Sequence, residues 1–176
     1  LRDIEVKRAT SFPGVPTMWI ALANHRGIET RDFSSLRHCS SGGAPLPIEV
    51  AQRFERLTGR HLGGGWGMTE TSPAGTHLPA TGPAKPGSIG LPLPGIEIVV
   101  VALDDPARVV PEDTIGELAI RGRNVTAGYW NRPEETAAAF VNGYFLTGDI
   151  GLMDADGYFF LVDRKKDMII SGGFNV

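Results

Sequence analysis

The 176-residue chain carries 17 Lys and Arg against 20 Asp and Glu, a formal charge of −3, with 41% apolar residues. That balance excludes a disordered or fibrous chain, and it lacks the basic excess of a nucleic-acid binder. A single cysteine, Cys39, excludes an internal disulfide framework and fits a reducing compartment, so a cytoplasmic location is expected. No run of about 18 apolar residues offers a transmembrane segment. The 23 glycines and 13 prolines are dispersed, which predicts many turns and short strands.

In chain order, Thr10 to Val15 reads as a short strand, and Pro16 opens a helix reaching Asn24. Ser34 to Ser40 is a weak strand leading into Ser41-Gly42-Gly43-Ala44-Pro45. From Pro47 to Thr58, Ile48, Val50, Ala51, Phe54 and Leu57 recur at three and four, an amphipathic helix closed by Gly59. His61-Leu62 and the run Gly63-Gly64-Gly65-Trp66-Gly67 follow, and this first stretch has α/β organisation. Beyond Pro79–Pro86 the texture turns β-rich, with strands at Gly95–Leu103 and Gly116–Gly122 separated by the turns Asp104-Asp105-Pro106 and Pro111-Glu112-Asp113. A short helix is expected over Pro133–Phe140, then strands Gly143–Asp149 and Gly157–Asp163 around the Asp156-Gly157 turn. Short strands with frequent turns suggest a small barrel or curled sheet. The fold class is therefore α/β plus β, with residues 1–82 as part of an α/β subdomain, 83–163 as a β-barrel subdomain, and 164–176 as a linker or hinge. The chain begins in what reads as the tail of a helix and stops just past Ser171-Gly172-Gly173, so a fragment is expected.

Three stretches could carry chemistry. In Gly63 to Thr71, glycines permit close backbone approach and an anion nest, Trp66 offers a flat face, Thr69 a hydroxyl for a phosphate and Glu70 a hard oxygen for Mg²⁺. A glycine-rich loop with a core tryptophan and a surface Glu explains the same residues. In Thr147-Gly148-Asp149, a carboxylate just after a strand could accept from both hydroxyls of a ribose, or could be an ordinary turn aspartate. Asp163-Arg164-Lys165-Lys166-Asp167 is a solvated linker or a hinge.

Five motifs stand in a fixed order: Ser41 to Pro47, Trp66-Gly67-Met68-Thr69-Glu70, Gly116-Glu117-Leu118 with Gly128-Tyr129-Trp130, Thr147-Gly148-Asp149, and Asp163 to Asp167. Together they resemble the adenylate-forming acyl-CoA synthetases, from about Thr10 to Val176, with wording closest to the fatty-acyl-CoA synthetase branch. The resemblance implies that Gly42, Gly43, Ala44 and Pro45 line the adenine site. Gly65 would lie against the adenine, with Trp66 stacked on the base in place of the family's tyrosine. Gly67 and Met68 belong to the same nucleotide-binding stretch, Met68 being either a border of the acyl pocket or a core residue. Thr69 would touch the α-phosphate, Glu70 the Mg²⁺, and Asp149 and Arg164 the ribose. Lys166 would be the hinge, and Ser171, Gly172 and Gly173 would approach the CoA channel.

The implied partners are ATP, a fatty acid and CoA, joined through an acyl-adenylate with release of pyrophosphate and then AMP. The family's phosphate-gripping loop and its C-terminal lysine are not found in the sequence, so no turnover by this polypeptide is expected. An adenylation domain that loads a carrier protein, and a non-catalytic β-rich module that keeps the motifs for packing, stay open as alternatives. So do acyl chain length and assembly as a homo-oligomer. Catalysis predicts that Trp66 and Asp149 share a cleft, whereas packing residues would point into separate cores. Asp154-Ala155-Asp156-Gly157 fails the calcium-loop spacing and reads as a hairpin turn. The sequon Asn124-Val125-Thr126 is expected to be unused, and His25, His38, His61 and His77 lack metal-ligand spacing.

Overall fold

The computed structural model describes residues 1–79, 85–164, 170–171 and 174–175. The chain divides into two compact units, Leu1–Gly65 with Ile169–Val176, and Trp66–Met168. The boundary expected near residue 82 lies outside the described residues, as does Lys166.

The first unit opens with a single helical turn, α1 (Arg2–Val6), followed by β1 (Ser11–Gly14) and α2 (Pro16–Ala23). Proline at the first helical position of α2 has no amide to leave unpaired, which is why the helix starts there. β2 (His38–Ser41) pairs in parallel with β1 on one side and with β3 (Leu62–Trp66) on the other. The connection between β2 and β3 is α3 (Ile48–Thr58), the amphipathic helix seen in the sequence, closed by Gly59 at φ 66°. The run Gly63-Gly64-Gly65 is thus strand rather than loop: Ser40 faces Gly63 and Ser41 faces Gly64 in the ladder. Trp19 and Phe54 are fully buried at the centre of this unit's core. Their rings meet edge to face at 5.0 Å, with Phe12 and Phe33 completing the stack. Such pairs add to the area term by about 0.5–1.5 kcal/mol each. Cys39 is buried here, and burial pushes its thiol pKa up, as befits an inert packing residue.

The second unit is an antiparallel sheet in the order β4 (Thr76–His77), β5 (Ser88–Pro92), β10 (Phe159–Arg164), β9 (Tyr144–Met153), β7 (Gly116–Gly122) and β6 (Ile96–Val101). A two-residue strand, β8 (Phe140–Val141), pairs with β9 after the short helix α4 (Pro133–Ala138). The helix thus ends before Phe140, whose ring leaves α4 to pack edge to face on Phe145. The core gathers Trp66, Ile98, Val100, Leu118, Ile120, Phe145 and Phe159. Gly116 to Ile120 are buried on both faces of β7, the mark of a central strand. At the β9–β10 turn, Asp154 Oδ1 accepts the amides of Asp156 and Tyr158, and the Lys85 ammonium sits on Asp154 at 2.5 Å and Asp156 at 2.6 Å. That pair of carboxylates serves the expected hairpin turn and, beyond it, holds the Lys85 ammonium. β11 (Ile170–Ser171) and β12 (Phe174–Asn175) form a separate antiparallel pair, while Gly172 and Gly173 lie outside the described residues. Among the described residues no helix is long and apolar enough to cross a membrane.

Candidate functional site

The site grows from an irregularity in β9. In the β7–β9 ladder Glu117 faces Ile150 and Ala119 faces Leu146. Three residues, Thr147-Gly148-Asp149, therefore oppose one, Leu118. Such a bulge bends a strand and re-aims its side chains. Gly148 adopts φ 74°, a conformation that glycine reaches without strain. The Thr147 hydroxyl donates to the Leu118 carbonyl at 2.7 Å, and the Asp149 amide returns a bond to Thr147 Oγ1 at 3.1 Å. The Gly148 amide donates to Glu117 Oε1 at 2.8 Å. β9 accordingly runs on past Asp149 to Met153, where the sequence suggested a strand ending at Asp149.

The bulge presents Asp149 with 3% exposure, held between two donors. The Trp66 indole N–H donates to Oδ2 at 2.7 Å, and Arg164 Nε pairs with Oδ1 at 2.7 Å across the β9–β10 ladder. Burial pushes the Asp149 carboxyl pKa up. The indole N–H and the Arg164 guanidinium oppose that rise, and the nearby Glu117 carboxylate adds to it. The result is a buried, oriented carboxylate with two strong acceptor oxygens. Asp149 and Trp66 are in direct contact, not in separate cores. Trp66 itself is 7% exposed, its amide donates to Thr76 Oγ1, and a Cβ on Gly75 would fall 2.6 Å from its ring. The flat indole face expected from the sequence is thus largely packed, and its edge is committed to Asp149.

Thr69 and Glu70 lie on a 3₁₀ turn, Thr69–Thr71, that two segments brace. Thr71 is fully buried and closes the turn onto Met68 through its hydroxyl. Asn124 Nδ2 donates to the carbonyls of Thr71 and Ala74, and the Thr126 amide donates to the Glu70 carbonyl at 2.7 Å. The Tyr129 hydroxyl donates to Glu70 Oε1 at 2.9 Å, leaving Thr69 exposed beside it. Asn124 is therefore a structural clamp whose amide nitrogen is already committed. Gly67 is required by packing: a Cβ there would fall 2.0 Å from the Pro73 carbonyl oxygen. Met68 packs against the second core.

In the first unit, Gly42, Gly43, Ala44 and Pro45 follow the end of β2. The Gly42 amide bonds to the Gly14 carbonyl, and Gly43 takes φ 79°. Parallel strands place ligands beyond their carboxyl ends, which is where this segment sits. Ser41 Oγ, just before it, is buried with no hydrogen-bond partner among the described residues. Gly65 lies in β3. Ser171 lies in β11. Two residues of the site were not assigned roles from sequence, Glu117 and Tyr129. They belong to the Gly116-Glu117-Leu118 and Gly128-Tyr129-Trp130 motifs, and the carboxylate next to Leu118-Ala119-Ile120 is the signal that could have marked Glu117.

Among the described residues no group of three or more His, Cys, Asp or Glu could hold a metal ion. A single carboxylate oxygen, Glu70 Oε2, suits a Mg²⁺ that takes its remaining ligands from phosphates and water.

Comparison with known proteins shows the family. The family described as AMP-binding enzyme matches residues 1–130. A long-chain-fatty-acid–CoA ligase of Bacillus subtilis (strain 168) is 44% identical over 177 residues, covering 100% of this chain and 31% of that protein. A feruloyl-CoA synthase of an Amycolatopsis species is also 44% identical, over 178 residues, covering 100% of this chain and 35% of the relative. The ATP-bound crystal structure of MatB from Rhodopseudomonas palustris superposes with a TM-score of 0.86 at 37% identity, covering 99% of this chain and 34% of that one. The chain spans about a third of the length of the curated relatives it matches.

Proposed function

Since the chain belongs to the AMP-binding enzyme family, we propose that it supplies the nucleotide-holding segment of an ATP-dependent acid–CoA ligase, with a long-chain fatty acid as the acid. The observation that carries this is Asp149, a buried carboxylate fixed on a β9 bulge between the Trp66 indole and Arg164. Two oxygens held this way match the two adjacent hydroxyls of a ribose, and a charged acceptor of that kind contributes about 1.5–3 kcal/mol. Trp66 would serve through its N–H, tied to the carboxylate that receives the sugar, and not as a stacking face, because that face is largely packed. Gly42 to Pro45 and Gly65 would line the adenine through backbone atoms, and Arg164 would be a second ribose contact.

The chemistry follows from charge. A carboxylate oxygen of the acid attacks the α-phosphorus of ATP, the bond to the bridging oxygen breaks, and pyrophosphate leaves. The Thr69 hydroxyl would donate to an α-phosphate oxygen, and Glu70 would hold Mg²⁺. When bound, the metal offsets the negative charge gathered on the phosphates. Tyr129 keeps the Glu70 carboxylate in one orientation. The thiolate of CoA then attacks the carbonyl carbon of the acyl-adenylate and AMP departs, with Lys166 as the hinge between half-reactions and Ser171, Gly172 and Gly173 along the CoA channel.

The equal identity to a feruloyl-CoA synthase favours an aryl acid as the second reading. Calorimetric titration of the chain with non-hydrolysable palmitoyl-adenylate and feruloyl-adenylate analogues tests both. Tighter binding of the palmitoyl compound supports the fatty acid, the reverse order supports the aryl acid, and saturable binding of neither removes the proposal.

A further inference from the structure

We propose that Glu117 is a positioning residue for nucleotide recognition: its buried carboxylate closes the β9 bulge through the Gly148 amide and thereby sets where Asp149 offers its oxygens to a ribose. The inference rests on the ribose reading of Asp149 and adds a residue that acts through it. Glu117 is 3% exposed, on a strand whose next three residues are fully buried. A carboxylate there is costly unless it is well bonded. The bulge explains its presence. With Thr147-Gly148-Asp149 set against Leu118 alone, the Gly148 amide is met at 2.8 Å by Glu117 Oε1 in place of a β7 carbonyl.

The bulge is thus gripped on two sides, by Thr147 on the Leu118 carbonyl and by Glu117 on the Gly148 amide. Asp149 is the next residue along. Its orientation is completed by the Trp66 indole from β3 and Arg164 from β10. Among the described residues, the charged groups that act on Asp149 are Arg164 and Glu117, and the Glu117 charge also raises the Asp149 pKa, behind burial as the main cause. A bond of 2.8 Å fixes a hinge-like glycine at φ 74°, so shortening the side chain that makes it lets the peptide on either side rotate.

Two conservative variants separate reach from charge. Glu117→Gln keeps an acceptor at the Gly148 amide and removes the charge, whereas Glu117→Asp keeps the charge and withdraws the acceptor by one methylene. The readout is the ratio of dissociation constants for 2′,3′-dideoxy-AMP and AMP, measured on the 176-residue chain with Asp149→Ala as control. The wild-type ratio should be about tenfold or more, since the dideoxy sugar cannot donate to Asp149. Glu117→Gln should hold that ratio within about twofold. Glu117→Asp should bring it close to that of Asp149→Ala while leaving dideoxy-AMP affinity unchanged. Equal weakening of both nucleotides in Glu117→Asp, or an unchanged ratio, overturns the proposal and leaves Glu117 a packing residue.

A second readout needs no ligand. The Trp66 indole proton resonance should lie downfield in wild type and Glu117→Gln, and move towards that of Trp130, which is 97% exposed, in Glu117→Asp. An unmoved signal in Glu117→Asp also overturns the proposal. A wild-type ratio near one would instead overturn the ribose reading and the nucleotide half of this inference with it. The indole signal then decides whether Glu117 sets Asp149 at all.

Discussion

Replacing Asp149 with asparagine should weaken nucleotide binding without lowering stability at neutral pH. The amide matches the shape of a protonated carboxyl, and its oxygen can still accept the Trp66 indole N–H, now 2.7 Å from Asp149 Oδ2. The amide nitrogen would face Arg164, whose side chain is 35% exposed and can turn to water. What is lost is the charge that receives two ribose hydroxyls, about 1.5–3 kcal/mol, or roughly 10- to 150-fold in affinity for AMP. Stability moves the other way. Burial raises the Asp149 pKa above its unfolded value. The stabilising contribution of the protonated form is therefore complete below the unfolded pKa and disappears as pH rises through the folded one. At neutral pH the ionised carboxylate is a net cost, which asparagine removes. Urea unfolding at neutral and acidic pH, beside calorimetry with AMP, checks both arms. The variant should be as stable as wild type or more so at neutral pH, with any advantage fading in acid. A neutral-pH loss above about 1 kcal/mol with unchanged AMP affinity would refute the reasoning.

Other substitutions probe the supports. Gly67→Ala places a methyl 2.0 Å from the Pro73 carbonyl oxygen and should destabilise the chain by about 2–4 kcal/mol, read as a shift in the urea midpoint; a shift below about 0.5 kcal/mol would mean the turn yields freely. Tyr129→Phe removes the donor to Glu70 Oε1 and should weaken binding of Mg²⁺-ATP by about three- to tenfold at constant Mg²⁺, while affinity in the absence of Mg²⁺ stays the same. Lys85→Met strips the cation from Asp154 and Asp156. The Lys85 ammonium is the main cause of the depressed Asp154 pKa, so the stability it lends is present above the unfolded carboxylate pKa and lost as pH falls through the folded one. The variant should melt below wild type at neutral pH and converge with it in acid.

Much of this fold is visible in local patterning, because the elements that carry it are self-contained. The three-four spacing from Ile48 to Leu57 marks α3 and Gly59 its end, and Gly116–Gly122 is a strand from its own composition. The Asp-Gly turn at Asp156-Gly157 likewise needs no distant partner. The site is different in kind. Thr147-Gly148-Asp149 advertises a carboxylate beside a glycine, but the bulge exists only relative to Leu118, and register between distant strands is not written in either segment alone. Trp66 and Asp149 stand 83 positions apart, so their bond could be framed only as a test between a shared cleft and separate cores. The glycines around Trp66 suggested room for a ligand. Gly67 and Gly75 instead make room for Pro73 and for the indole itself, a packing demand that appears only once the loop is folded back.

The most direct test is a crystal structure of the chain with AMP bound. A ribose hydroxyl within about 3 Å of an Asp149 carboxylate oxygen is the expected result, with Arg164 beside the same sugar. AMP bound with its ribose away from Asp149, and the Trp66–Asp149 bond undisturbed, would contradict the account.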